Sequence, residues 1–235
     1  MSNSNVELKR FASANALAAE LASDIAGQLT HAMATRGHAS LLLSGGHSPT
    51  RVFEQLRTRV LDWSRVSIAL VDERWVERSD PASNERLVRE TLLRGAAAAA
   101  GFFALKNSAS SPELGAASAW NALAHIPRPA DITLLGMGED GHTASLFPGS
   151  PNLMRALDLQ APAGCISMLS PRAPQARLSM NLRALLDSRR IVILILGEAK
   201  LRTYRAACAA GPVEEMPVRA VLRQKQVPVE VFWSP

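Results

Sequence analysis

The chain has 235 residues, 47% hydrophobic and 20% charged, which gives ample apolar material for a buried core. Its formal net charge is +5, yet the basic residues are dispersed, Arg189-Arg190 is the only adjacent arginine pair, and one tyrosine leaves no basic-aromatic stripe. That pattern argues against nucleic acid as a partner and suits a site for a small anion. No apolar run approaches the roughly 20 residues that span a bilayer; the longest, Ile191 to Leu196, has strand length. Met1 to Asn5 is polar with no apolar segment behind it, so no secretory leader is expected. Cys165 and Cys208 have neither metal nor disulfide-framework spacing and read as free thiols of a cytoplasmic protein.

Residues 13–36 carry Leu17, Leu21, Ile25 and Leu29 at helical spacing, with Gly37 as the C-terminal cap. Ala39 to Leu43 reads as a short buried strand, Ser44 to Pro49 as a loop, and Pro49 to Arg59 as a helix opened by proline. Val66 to Val71 is the next strand. Asp72 to Ser83, polar and containing Pro81, reads as loop, and Asn84 as the cap of a helix to Arg94. Gly95 to Gly101 is alanine-rich and gives no clear element. Pro112 to His125 is helical and Asp131 to Leu135 a strand. Farther on, Cys165 to Leu169 and Ala176 to Met180 read as strands and Asn181 to Asp187 as a helix. Arg190 to Leu196 has the strongest strand pattern; a helix over Gly197 to Ala210 and a last strand over Val227 to Trp233 follow.

Apolar strands alternating with helices predict an α/β protein, a three-layer α/β/α sandwich around a mostly parallel Rossmann-like sheet. With no repeat and no long linker, one domain over 1–235 is expected. Ligands of such sheets bind beyond the carboxyl ends of the strands. Polar loops leave the strand ends at Leu43, Val71, Leu135 and Leu196, so four loops are predicted to converge on one rim.

Each loop carries groups suited to an anionic substrate. Ser44-Gly45-Gly46 followed by a helix start is a phosphate-cradling arrangement, although an ordinary tight turn has the same pattern. It lacks the Gly-Lys-Ser/Thr ending of a P-loop. Asp72-Glu73-Arg74 offers a planar guanidinium that a neighbouring acid can hold, or simply a solvated strand end. Gly138-Glu139-Asp140-Gly141-His142 places an acid two residues from a histidine able to move protons near neutral pH. No second histidine stands at metal-ligand spacing. Lys200 falls in the first turn of a helix, where a cation is unfavourable unless an anion faces it. Arg177 stays undecided on spacing alone. His31, His38 and His125 read as surface residues, and Trp63, Trp120 and Trp233 as packing.

Taken together, Ser44-Gly45-Gly46 with Pro49, Asp72-Glu73-Arg74 with Val76, Ser83-Asn84, Gly136 to Gly149, Ser170-Pro171…Pro174…Arg177 and Gly197…Lys200 resemble the 6-phosphogluconolactonase family. They occur in the family's order across residues 10–233, and the Gly136–Gly149 block is the most specific. The resemblance implies hydrolysis of a phosphorylated sugar lactone in the oxidative pentose phosphate pathway with no cofactor and no essential metal; a cytoplasmic monomer or weak homodimer is expected separately. His142 is then the general base, with Asp140 and Asp72 orienting neighbouring groups rather than acting as nucleophiles. Arg74, Arg177 and Lys200 hold the phosphate with the N–H groups of Ser44, Gly45 and Gly46, and Asn84 and Gly138 join the substrate-binding set. N–H groups of the glycine loops are expected to stabilise the oxyanion. Ser145 lacks a nucleophile-elbow context, which argues against an acyl-enzyme.

Ser48 departs from the threonine common before the proline, and Arg172-Ala173 from a lysine and second proline. The related glucosamine-6-phosphate deaminases share the Gly-x-Asp-Gly-His core. They typically place glutamate where this chain has Phe147 and tyrosine where it has Arg74. Deamination therefore ranks below lactone hydrolysis, beside a third possibility, a phosphosugar binder without catalysis.

Overall fold

The computed structural model describes residues 6–171 and 173–235; the Met1 to Asn5 reading and the Arg172 departure lie outside them. In chain order the elements are β1 (Val6–Arg10), α1 (Ala14–Arg36), β2 (Ala39–Leu43), α2 (Thr50–Leu56), β3 (Val66–Leu70), β4 (Asp72–Arg74), α3 (Asn84–Thr91), β5 (Gly101–Phe103) and α4 (Pro112–Ala122). They continue with β6 (Ile132–Gly136), α5 (Leu153–Leu157), β7 (Cys165–Ser170), β8 (Ala173–Met180), α6 (Leu182–Leu186), β9 (Ile191–Leu196), α7 (Glu198–Cys208), α8 (Val218–Arg223) and β10 (Val229–Ser234).

Seven strands form one parallel sheet in the order β1-β10-β9-β6-β2-β3-β5. Its central strands are near-continuous aliphatic runs because helices cover both faces. Every residue of β2 is buried, as are Ile191 to Ile195 of β9. The longest helix, α1, starts at Ser13, whose hydroxyl accepts from Ala16 N–H at 3.2 Å, and ends at Gly37 in the left-handed conformation, φ 85°. Leu17, Leu21, Ile25 and Leu29 face the core at 0–1% exposure; each such burial contributes about 1.5–3 kcal/mol.

From β2 the chain order runs outward to β3 and β5; from β6 it runs the other way to β9 and β10. The order reverses between β2 and β6, and at such a switch point the two strand-end loops part and leave a crevice above the sheet. A small antiparallel sheet, β4-β8-β7, stands at the same rim.

Several expected boundaries shift. Asp72 to Arg74, read as loop, is a strand paired to β8. Ser83 rather than Asn84 caps α3, accepting from Arg86 N–H at 3.1 Å, and α3 stops at Thr91. The helix after Pro49 ends at Leu56. Gly95–Ala99 is a 3₁₀ turn leading into β5. The short elements β1, α5 and α8 have no counterpart among the expected ones. Trp63 and Trp233 are buried, Arg128 covers the Trp120 ring at 5.4 Å, and His31, His38 and His125 are exposed. Both cysteines are free thiols; burial pushes that of Cys165 up to about 12.

Candidate active site

Beyond β2 the chain keeps one more ladder bond. Ser44 N–H donates to Leu134 O at 2.8 Å. The expectation that this N–H faces a ligand is therefore corrected, because it is committed to β6. The Ser44 hydroxyl lines the cleft instead, 6% exposed overall and without a partner among the described residues. Gly45 and Gly46 N–H meet no acceptor among the described residues, leaving both donors available to an anion. Gly45 has no alternative side chain: a Cβ there would overlap the Asn84 carboxamide.

The second loop is organised by a residue that sequence reasoning left without a role of its own. Glu73 is 1% exposed. Its Oε1 accepts Arg74 N–H at 2.8 Å and Asn84 N–H at 2.7 Å, while Oε2 accepts Glu85 N–H at 2.7 Å and Ser83 Oγ–H at 3.3 Å. One carboxylate thus anchors β4 to the start of α3. Burial pushes it up to about 7, against the pull of its three backbone N–H donors. Glu73 does not hold the Arg74 guanidinium. Asn84 does, with Oδ1 accepting from Arg74 Nη1 while Nδ2 donates to Asp72 O at 2.8 Å. Asn84 is 1% exposed with both ends of its amide engaged, and it lines the cleft beside Arg74. The signal was present in Ser83-Asn84, ten residues beyond Asp-Glu-Arg, but the pairing needs the fold.

Strand register places Arg74 directly opposite Arg177. Like charges facing one another across a strand pair are unfavourable. Burial and the neighbouring Arg74 both lower the pKa of Arg177, whose Nε is buried without a partner among the described residues. Lys200, the third residue of α7, reaches Ser48 Oγ at 3.4 Å. Burial lowers its pKa, and Glu139 opposes that shift. Among the described residues none of these three cations is ion-paired to a carboxylate.

The third loop folds back on itself. Gly138 N–H donates to His142 O at 2.9 Å, Gly141 N–H to Gly138 O at 3.1 Å, and Thr143 Oγ–H to Gly136 O at 2.8 Å. The Gly138 N–H is consequently not free for substrate or oxyanion, a second correction. This glycine instead makes room, since a Cβ would strike the His142 ring and lie 2.7 Å from Asp140 Oδ1. His142 Nδ1 is 2.5 Å from Asp140 Oδ1, and the His142 N–H donates to the same oxygen at 3.1 Å. A carboxylate only accepts, so Nδ1 carries the hydrogen, and in the neutral imidazole the lone pair is then on Nε2. Asp72 lies farther off, accepting from Ser145 Oγ–H at 2.6 Å. It ties the histidine loop to β4 without touching the imidazole. Phe147 packs on His142, ring centroids 4.6 Å apart, and Arg177 lies 5.7 Å from the same ring.

All four strand-end loops line one cleft of about 440 Å³, including Gly45, Arg74, Asp140, His142, Arg177 and Lys200. That volume falls in the range of about 300–1,000 Å³ typical of small-molecule sites. Among the described residues no group of three or more His, Cys, Asp or Glu side chains is gathered to hold a metal. No helix among them is long and apolar enough to cross a membrane.

The family model of glucosamine-6-phosphate isomerases/6-phosphogluconolactonase matches residues 12–233. The chain belongs to this family. A Pseudomonas putida protein named 6-phosphogluconolactonase is 44% identical over 230 residues, 98% of this chain and 93% of its own. One of the same name from Pseudomonas aeruginosa is 45% identical over 231 residues, covering 98% and 95%. The crystal structure of a 6-phosphogluconolactonase from Shewanella baltica superposes with a TM-score of 0.96 at 46% identity, covering 100% of both chains. The expected α/β fold around a parallel sheet is thereby borne out.

Proposed function

We propose that the protein hydrolyses 6-phospho-D-glucono-1,5-lactone to 6-phospho-D-gluconate. The carrying observation is the facing pair Arg74–Arg177, joined by Lys200 in the cleft that also holds the Asp140–His142 pair. A phosphate relieves the repulsion of the two guanidiniums, and charge-assisted bonds to it fix the orientation of the sugar. Gly45 and Gly46 N–H add donors at the same rim.

Asp140 holds the imidazole with Nε2 unprotonated. Nε2 takes a proton from water as the water oxygen attacks the lactone carbonyl, giving a tetrahedral oxyanion. Collapse breaks the bond between the carbonyl carbon and the ring oxygen, which receives the proton from the imidazolium. The acid product ionises to solvent. Asp72 and Asn84 position the histidine loop and Arg74. The ring beside His142 is Phe147, which supplies no acid at that position, and this counts against the ring opening and isomerisation of an amino sugar.

The test is steady-state hydrolysis against an enzyme-free blank, with phosphorylated and unphosphorylated lactones compared and Arg177→Ala alongside. Losing one charge-assisted contact of about 1.5–3 kcal/mol raises KM for the phosphorylated lactone roughly 10- to 100-fold. An Arg177→Ala enzyme with unchanged KM, or a wild type indifferent to the phosphate, overturns the assignment.

A further inference from the structure

Behind the histidine loop lies a segment that the proposed chemistry does not use. Residues 211–217 connect α7 to α8 and cross the underside of the loop. Their start is pinned by two arginines of α8. Arg219 donates to Pro212 O at 2.9 Å and Ala206 O at 3.2 Å; Arg223 donates to Gly211 O at 2.6 Å and Ala209 O at 2.8 Å. Arg219 is itself buried. Their far end meets the catalytic loop: Val218 N–H donates to Gly141 O at 2.9 Å. Met216 lies so close that a Cβ on Gly141 would come within 2.8 Å of its Cβ and 3.0 Å of its Cγ and Cε. From α7, Thr203 Oγ–H is shared between Glu139 O at 3.1 Å and its own helix's Ala199 O at 3.2 Å.

The carbonyls on both sides of Asp140 are thus held by one unit, α7 with its outgoing segment and the first residue of α8. That unit also carries Lys200. A mere connection between two helices has no need to grip the carbonyls of both neighbours of the acid that orients His142. We infer that residues 211–217 are a strap that positions the Asp140–His142 pair, with Met216 as its positioning residue and Thr203 as a second tether. Met216 fills the space behind Gly141, so its truncation lets the loop settle away from the position that aims Nε2 at the reacting water. Misplacement on the order of 1 Å at such a site costs up to about 100-fold in rate.

For its rate readout this inference rests on the proposed hydrolysis; an NMR readout does not. Met216→Ala, Met216→Leu, Thr203→Val and, as a control, Met33→Ala are compared in the full chain. Met33 is buried in α1 at the opposite end of the sheet. The measurements are kcat and KM for the phosphorylated lactone and the downfield Nδ1–H proton resonance of His142, assigned by its absence in His142→Gln. Met216→Ala is expected to lower kcat about tenfold, leave KM within about twofold and shift or broaden that resonance, with Met216→Leu restoring both. Thr203→Val moves the same two readouts in the same direction, and Met33→Ala moves neither. Wild-type kcat and resonance in Met216→Ala overturn the strap, as does a kcat loss shared by Met33→Ala. Should Met216→Ala not fold, an unchanged resonance and kcat in Thr203→Val decide against it. A wild type that does not hydrolyse the lactone defeats the proposed function, while the resonance still decides on the strap.

Discussion

Glu73→Gln separates the two forces acting on the buried carboxylate. In the wild type four donors converge on two oxygens, three of them backbone N–H groups at 2.7–2.8 Å. A glutamine keeps one acceptor oxygen and turns its NH₂ toward a donor, which leaves a buried N–H unpaired and costs about 1–3 kcal/mol. The substitution also removes an ionisable group that burial has moved from its ordinary value of 4.5 to about 7. The folded protein binds this proton more tightly than the unfolded chain. The resulting stability is fully present below pH 4.5 and is lost as pH rises through about 7. A separation of about 2.5 pH units at 1.36 kcal/mol each amounts to about 3 kcal/mol.

Wild type should therefore exceed Glu73→Gln in unfolding free energy by the largest margin near pH 4.5, with the margin shrinking by up to about 3 kcal/mol by pH 8. Urea unfolding of both proteins across this range, at constant ionic strength, reads the difference directly. A margin that stays flat, or grows with pH, would show that the three N–H donors outweigh burial and keep the carboxylate ionised throughout.

Arg74→Ala removes one of the facing cations and should raise KM roughly 10- to 100-fold; Asn84→Ala, which only releases the guanidinium, should raise KM less and in addition lower the unfolding free energy by about 1–3 kcal/mol through the unpaired Asp72 carbonyl. Equal KM values for wild type and Arg74→Ala in initial-rate assays would remove Arg74 from substrate binding. Gly138→Ala drives a methyl into the His142 ring, so kcat should fall by at least about tenfold with KM little changed; a kcat equal to wild type would show that the ring has room to move.

The parallel sheet was legible because its buried strands are aliphatic and turn residues bound them. Ala39 to Leu43, Val66 to Leu70 and Ile191 to Leu196 stand out against their neighbours for this reason. Convergence of four loops followed from the common direction of parallel strands. Elements whose residues carry charge or are too short for periodicity escaped: Val-Glu-Leu-Lys-Arg of β1, Asp-Glu-Arg of β4 and Gly-Phe-Phe of β5. Missing β4 hid the Arg74–Arg177 register. Residue types at the rim were readable, but which of their atoms are spent internally was not. The N–H groups of Ser44 and Gly138 and the amide of Asn84 are all committed to partners distant in sequence or folded back from the next turn. Met216 and Thr203 gave no signal, since a methionine in a loop and a threonine on a helix are ordinary until something is packed beneath them.

The decisive measurement is the rate of 6-phosphogluconolactone opening by wild type and by His142→Ala, each against the spontaneous rate. General acid-base catalysis contributes about 10²–10⁴-fold. Rapid opening by wild type, with kcat reduced by that factor in a folded His142→Ala, is the expected result. Enzyme-dependent turnover in His142→Ala equal to wild type would contradict His142 as the base, and no acceleration by wild type would contradict the lactonase reading itself.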